Sequence, residues 1–318
     1  MKSLKLLFMG TPAFAIPALD LLNSSPHNIA AIVTQPDRLS GRGQVLSYSA
    51  VKKWAVSNSI ETCQPEKLSK DAFLHWLENL KPDLIVTVAF GRMLSKSLLA
   101  TPPLGCINLH ASYLPAYRGA APIHRAVIEG AEYSGVSIID LTEELDGGDV
   151  YFQEKVAIKP DDTAGMLHDS LAVKGSVLLL RTINALADGS AVKTPQDQTL
   201  ATYAPPLSPA DEVLDWHLSS LELHNRIRGL SPWPGAYTTF KGKRVKVWKS
   251  RLSIITDQNE RQGVPGTILS VEKASLEVAT GNGSLFLIDL QPAGKKQMQA
   301  ASFCCGYRIV PGDRLGDG

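Results

Sequence analysis

The chain has 318 residues, 44% of them hydrophobic and 20% charged, with a formal net charge of +1. That is the composition of a soluble globular protein long enough for two domains, and its near-neutral balance excludes a global electrostatic case for nucleic acid. Cys63, Cys106, Cys304 and Cys305 form no CxxC pair, which excludes a disulfide framework or zinc ribbon and points to a reducing compartment, the cytoplasm.

In chain order, LKLLFM (4–9) predicts a strand and the residues from Pro12 to Asn23 a helix. Lys2, Lys5 and Ala13-Phe14-Ala15 imitate a secretory signal, but the run from Leu4 to Met9 is short for one and Gly10-Thr11-Pro12 interrupts it. No run reaches transmembrane length, so no membrane partner is expected. IAAIVTQ (29–35) predicts a second buried strand, followed by the polar loop PDRLSGRGQVLS and the helix SAVKKWAVSN. KLSKDAFLHWLENL places Phe73, Leu74, Leu77 and Leu80 on one helical face. DLIVTVAF (83–90) and GCINLH (105–110) are continuous apolar runs, as in strands covered on both faces. Strands separated by helices predict an α/β fold with a doubly wound, mostly parallel sheet. SGVSIIDLT and VYFQEKVAI flank EELDGG, and Asp146-Gly147 predicts an antiparallel hairpin at one edge. A helix around 164–187 closes this unit.

From Asp188 to Pro209 the chain turns polar and proline-rich, which predicts a domain at 1–188, a linker at 189–208 and a second domain at 209–318. One helix (217–230) and the short strands AYTTF, RVKVWKS, GTILSV, SLEVAT and SLFLIDL predict a small β-barrel there. This segment holds 14 of the 32 basic but 11 of the 31 acidic residues, leaving it at +3 and the first part at −2. KGKRVKVWKSR carries six basic residues and no acidic one.

Asn108 and His110 end the strand GCINLH at the carboxyl side, where open α/β sheets gather ligands. Spaced by two, they point to the same side, so an amide NH2 and an imidazole can meet one oxygen and move a proton. No nucleophile accompanies them: GxSxG is absent, so the attacking group belongs to a substrate. Asp146 is a candidate to orient the imidazole, and Gly147 and Gly148 would let its loop approach closely. From the residues alone a second reading stays open, in which Asn108 and His110 satisfy strand-end backbone groups and Asp146-Gly147 is a turn. HExxH and spaced Cys/His sets are missing, so no metal is expected. Gly10-Thr11-Pro12 is not GxGxxG, which argues against a nicotinamide cofactor.

INLHASYLPAYRGAAPI carries Asn-x-His, Ser-x-Leu-Pro and Arg-Gly, and DGGD supplies an Asp; in these motifs the chain resembles the folate-dependent formyltransferases. The resemblance implies a Rossmann-like catalytic domain followed by an OB-like β-barrel, with 10-formyltetrahydrofolate as formyl donor to an amine and no metal. It implies a catalytic triplet of Asn108, His110 and Asp146. It also implies a folate pocket between Phe90, Gly91, Arg92, Met93 and Leu94 on one side and Leu141 and Thr142 on the other, with Ser112, Leu114 and Pro115 of the Ser-x-Leu-Pro motif.

FMGTPAFA, TQPDRLSGRGQ, VLDWHLSSLELHNRIRGLSPWPGAY and LQPAGKKQM, which together span nearly the whole chain, resemble the branch of that family whose acceptor is the initiator methionyl-tRNA. That branch implies tRNA contacts by Arg38 and Arg42 of the first long loop and by Lys241, Lys243, Arg244 and Lys246 of the second domain. The chain departs from the branch at Gln44-Val45, where lysines are common, at Pro206-Leu207-Ser208-Pro209 in place of Lys-Leu-Ser-Lys, and at Arg92 in place of an aliphatic residue. A sugar-nucleotide formyltransferase, the alternative, would share the triplet but lack the QPDR…GRG loop. Nothing in the pattern demands a partner subunit, so a monomer is expected.

Overall fold

Strands apolar on both faces need helices on each side, and the chain supplies them in alternation. The computed structural model describes residues 2–40, 45–253 and 263–316. Arg42 lies outside them. Along the chain run β1 (Lys5–Gly10), α1 (Ile16–Asn23), β2 (Asn28–Val33), β3 (Arg38–Ser40), β4 (Val45–Ser47), α2 (Ala50–Ser57), β5 (Thr62–Cys63), α3 (Asp71–Leu80), β6 (Leu84–Val88), α4 (Lys96–Leu99), β7 (Cys106–His110), β8 (Arg118–Gly119), α5 (Pro122–Ile128), β9 (Tyr133–Asp140), β10 (Val150–Ala157), α6 (Ala164–Asp188) and β11 (Tyr203–Ala204). There follow α7 (Ser220–Gly229), β12 (Tyr237–Phe240), β13 (Lys243–Leu252), β14 (Ile268–Val271), β15 (Leu276–Ala279), β16 (Ser284–Pro292), β17 (Met298–Gln299) and α8 (Ala300–Tyr307). They pack as two units: Met1–Pro122, Tyr133–Ala157 and His168–Pro205 form one, and Ile123–Glu132, Ile158–Leu167 and Pro206–Gly318 the other.

In the first unit a seven-stranded sheet has the order β10-β9-β7-β6-β1-β2-β5. β5, β2, β1, β6 and β7 are parallel, and β9 and β10 add an antiparallel pair at one edge. The sheet is the doubly wound one that the alternation predicts. Phe73 and Leu77 of α3 are buried against Leu7, Val33 and Ile85, with Leu74 and Leu80 at the border of the same cluster; each such side chain contributes about 1.5–3 kcal/mol on burial.

α6, at 25 residues, is long and apolar enough by length and composition to cross a membrane, although no uninterrupted apolar run of that length exists, because Lys174 and Arg181 interrupt it. Leu171, Ala172, Leu178, Leu179 and Ile183 are buried. A Cβ at Gly175 would fall 2.8 Å from the Leu109 side chain, so this helix lies directly on β7.

Residues 189–205 pack within the first unit. Val150 and Thr194 exchange backbone hydrogen bonds of 2.8 and 2.9 Å, and β11 pairs in parallel with β8.

The second unit holds a curled antiparallel sheet ordered β12-β13-β16-β15-β14, with β17 on β16. Leu223 and Ile227 of α7 share its core with Val245, Val247, Leu276, Leu285 and Phe303. The start of α7 is closed by a capping box in which Ser219 and Glu222 satisfy each other's backbone N–H. Phe240 pairs with Lys243, leaving Lys241 and Gly242, with φ of +50° and +70°, as a two-residue hairpin tip.

Candidate active site

Asn108 and His110 are alternate residues of β7, so their side chains leave the same face of the sheet. Gly10 pairs with Val88, and Val88 with Leu109, so β1, β6 and β7 end at one edge. β1 is also where the order reverses, with β2 on one side and β6 on the other. Ligand crevices of α/β sheets open at such a switch point.

His110 is buried, and its Nε2 donates to the Tyr117 carbonyl at 2.9 Å. A carbonyl only accepts, so this nitrogen carries hydrogen. Nδ1 faces Asp146 Oδ2 at 3.5 Å, with 6% and 11% of the two side chains exposed. A hydrogen on Nδ1 as well makes that contact attractive, whereas a bare nitrogen would turn its lone pair on the carboxylate. The contact lies largely out of water, where any electrostatic interaction is strengthened.

Asp146 does not arrive there along the sheet. β9 runs antiparallel to β7, placing Ser137 opposite His110 but Asp140 opposite Ile107, at the far end of the strand. The loop 141–149 therefore folds back toward His110. Asp146 itself adopts a left-handed backbone, φ +49°, which costs a non-glycine residue on the order of 1 kcal/mol. Three neighbours hold the loop. Gly119 N–H donates to Asp146 Oδ2 at 2.8 Å. The Gln196 amide donates to the Asp146 and Gly148 carbonyls at 2.8 and 2.7 Å. Its oxygen accepts from Arg118 Nε and Nη2 at 3.2 and 2.8 Å, while Arg118 Nη1 reaches Glu144 at 2.8 Å. Arg118 is fully buried, and this network is what satisfies its guanidinium.

Neither Cys106 nor Ser112 is poised as a nucleophile. Burial and the nearby Asp140 push the Cys106 thiol up to about 12, so it stays protonated. Ser112 donates its hydroxyl to the Ala116 carbonyl at 2.6 Å.

The expected folate residues divide. Phe90 and Leu94 are buried in one apolar cluster, and Leu141 packs against it, so the loops after β6 and β9 adjoin. Gly91 adopts φ +76° and Met93 is exposed. Arg92 is tied to protein groups: its Nη1 donates to the Pro65 and Glu66 carbonyls at 2.8 and 3.1 Å, and its Nε to Gln35 at 3.1 Å. It lines, with Met93, Glu66, Lys67, Leu68, Ser69 and Ser95, a cleft of about 280 Å³ that none of Asn108, His110 and Asp146 lines. Ser112 and Leu114 are buried, and the Leu114 carbonyl accepts from Gln153 at 2.7 Å. The Pro115 carbonyl accepts from Thr202 N–H at 3.2 Å. Thr142 is exposed.

Of the basic residues, Arg38, Lys241, Lys243 and Arg244 are exposed. Arg244 stacks on the Tyr237 ring at 3.7 Å and Lys246 lies over Trp248 at 5.2 Å. Between them Val245 and Val247 are buried, giving β13 one basic and one apolar face.

Sequence reasoning missed Thr87, Tyr117, Gly119 and Gln196. Thr87 left a weak signal, a hydroxyl within an apolar strand. Tyr117 and Gly119 act through backbone groups, a role that residue type does not announce, although position 119 itself requires glycine, with φ +119° and an added Cβ 2.8 Å from the Ala204 carbonyl oxygen. Gln196 sits in a stretch that reads as linker.

The strand-end amide and imidazole, the folded-back carboxylate and the two-unit architecture define a class. Residues 3–183 match the formyl transferase family and residues 206–308 the formyl transferase C-terminal domain, so this is a two-domain formyl transferase. Over 313 residues the chain is 46% identical to the methionyl-tRNA formyltransferase of Moorella thermoacetica, covering 98% of this chain and 99% of that protein. It is 44% identical over 313 residues to that of Bacillus subtilis, covering 98% of each. The fold is also that of an N-formyltransferase from Helicobacter canadensis, solved with folinic acid and dTDP-3-aminofucose. That structure has a TM-score of 0.68 at 17% identity, over 90% of this chain and 99% of that one. The chain belongs to the methionyl-tRNA formyltransferase family.

Proposed function

We propose that this protein transfers the formyl group of 10-formyltetrahydrofolate to the free α-amino group of initiator methionyl-tRNA. The reading is supported by the contact between His110 and Asp146 from two separate segments, with Asn108 on the same face of β7 as His110, in a chain whose full length follows relatives of that name.

The neutral amine attacks the formyl carbon, a C–N bond forms, and negative charge collects on the formyl oxygen. Asn108 NH2 and the His110 imidazolium stabilise that oxygen. Tyr117 occupies Nε2 at 2.9 Å, so Nδ1 is the nitrogen that serves the substrate; at 3.5 Å from Asp146 its hydrogen is held but not fully committed. Asp146 keeps the ring oriented and charged. As the intermediate collapses the C–N10 bond breaks, and a proton leaves the amine for N10 through Asp146 and a water. Formyl-methionyl-tRNA and tetrahydrofolate are the products, and no metal takes part.

The loops at 90–94 and 141–146, together with Ser112, Leu114 and Pro115, form the folate pocket. Arg38 and Arg42 guide the 3′ end of the tRNA, and Lys241, Lys243, Arg244 and Lys246 contact its phosphates. The enzyme works as a cytoplasmic monomer.

Asn108→Ala tests the site. Loss of one oxyanion donor costs on the order of 3 kcal/mol, so kcat should fall about a hundredfold with folate binding unchanged. Unchanged turnover refutes the role. Offering methionyl-tRNA and a nucleotide-linked 4-amino sugar with the same formyl donor tests the acceptor, and formylation of the sugar alone refutes the reading.

A further inference from the structure

β6 is buried along its whole length: Leu84, Ile85, Val86 and Val88 have no exposed surface, and Thr87 has 4%. Valine would suit this position as well for strand propensity and shape. A buried hydroxyl is costly unless it is bonded, so the partner of Thr87 decides what it is for. Thr87 pairs directly with Asn108 across the β6–β7 ladder, and its Oγ1 lies 2.7 Å from Asn108 Oδ1. The Ile107 carbonyl is farther, at 3.2 Å. With one hydrogen to give, the hydroxyl gives it to the closer acceptor.

The two ends of an asparagine amide have nearly the same shape but opposite polarity. In one orientation Asn108 presents NH2 to an oxyanion; in the other it presents lone pairs, which repel it. Packing alone does not choose between them. A donor aimed at Oδ1 does, by leaving NH2 facing away from β6: it gives its hydrogen at 2.7 Å, whereas a reversed amide would leave it only the longer, 3.2 Å bond to the Ile107 carbonyl.

We infer that Thr87 is a positioning residue, whose hydroxyl fixes the Asn108 amide with its NH2 directed to the reacting oxygen. The inference rests on the oxyanion role proposed for Asn108. It assigns to β6, otherwise the supporting strand beside β7, a direct part in setting the polarity of the site.

The test uses Thr87→Val, which keeps the branched shape, Thr87→Ser, which restores the hydroxyl, Asn108→Ala, and the Thr87→Val/Asn108→Ala double variant. For each, kcat and KM for 10-formyltetrahydrofolate are measured with methionyl-tRNA, alongside the melting temperature. Thr87→Val should lower kcat about tenfold, the worth of one buried hydrogen bond, with KM within about twofold. Thr87→Ser should return kcat to within about twofold of the parent. Adding Thr87→Val to Asn108→Ala should cost nothing more, since the two groups act as one unit. Full kcat in Thr87→Val beside an impaired Asn108→Ala overturns the inference and leaves the oxyanion role standing. An equal loss from Thr87→Val in both backgrounds also overturns it, because the effect then bypasses Asn108. Full turnover in Asn108→Ala removes the underlying role and the inference with it.

Discussion

Gly148→Ala is a severe test of how the catalytic carboxylate is placed. A Cβ at Gly148 would lie 1.8 Å from the Asp140 carbonyl oxygen and 2.9 Å from its carbon. Both atoms are backbone of β9, which is locked into the sheet by its pairing with β7 and β10. The loop must therefore give way. Restoring a 3.0 Å contact requires a retreat of at least about 1.2 Å. The same Gln196 amide grips the Gly148 and Asp146 carbonyls, so the displacement is passed to Asp146 and opens its 3.5 Å contact with His110. Misplacing a reacting group by about 1 Å costs about a hundredfold in rate, equivalent to about 2.7 kcal/mol of barrier. Formylation kinetics of Gly148→Ala should show that fall in kcat, with KM for folate within about threefold. Gly147→Ala is the control. The nearest atoms its Cβ would meet belong to the Glu144 side chain, which is 55% exposed and can shift at the cost of its bond to Arg118, whereas the Asp140 backbone cannot, so its loss should be smaller. A Gly148→Ala enzyme with kcat within about threefold of the parent, or one less impaired than Gly147→Ala, would refute the reasoning.

Two further outcomes follow from the second unit. Burial, aided by Arg228, pushes the His224 imidazole below its ordinary value of 6.5, against the opposing effects of the hydrogen bond it donates to the Pro160 carbonyl and of the charge of Asp161. The unfolded chain thus takes up a proton before the folded one does, so stability is full above 6.5 and declines as pH falls from there through the lowered folded value. Melting temperatures across this range should show the decline, and His224→Gln should flatten it; a parallel decline in the variant would exclude His224 as its source. Arg244→Ala should raise KM for methionyl-tRNA and reduce the slope of log affinity against log salt by about one, leaving KM for folate unchanged. An unchanged salt slope would show that Arg244 makes no phosphate contact.

The regular part of the fold was legible because burial imposes simple patterns. Continuous apolar runs marked β6 and β7, helical periodicity marked α3, and the turn chemistry of Asp146-Gly147 marked the antiparallel edge. Averages over mixed runs were less legible: α6 escaped the transmembrane criterion because two charges interrupt it, yet its composition satisfies that criterion. The proline-rich stretch after Asp188 reads as solvent-exposed connection, while Gln196 within it supplies four contacts to the Asp146 loop and Arg118. Hydrogen bonds to backbone groups leave no compositional trace, so such roles escape a reading by residue type.

The residues by themselves determined the alternation of strands and helices, the placing of Asn108 and His110 on one face, and the two-sided character of β13. These depend on periods of two and 3.6 residues, which are local properties of the backbone. Only the tertiary structure decided that Asp146 folds back to the imidazole, that Tyr117 takes one ring nitrogen and leaves the other, and that Thr87 stands beside the Asn108 amide. Those are contacts between segments distant along the chain, and their geometry is set by register and loop closure, which no local pattern encodes.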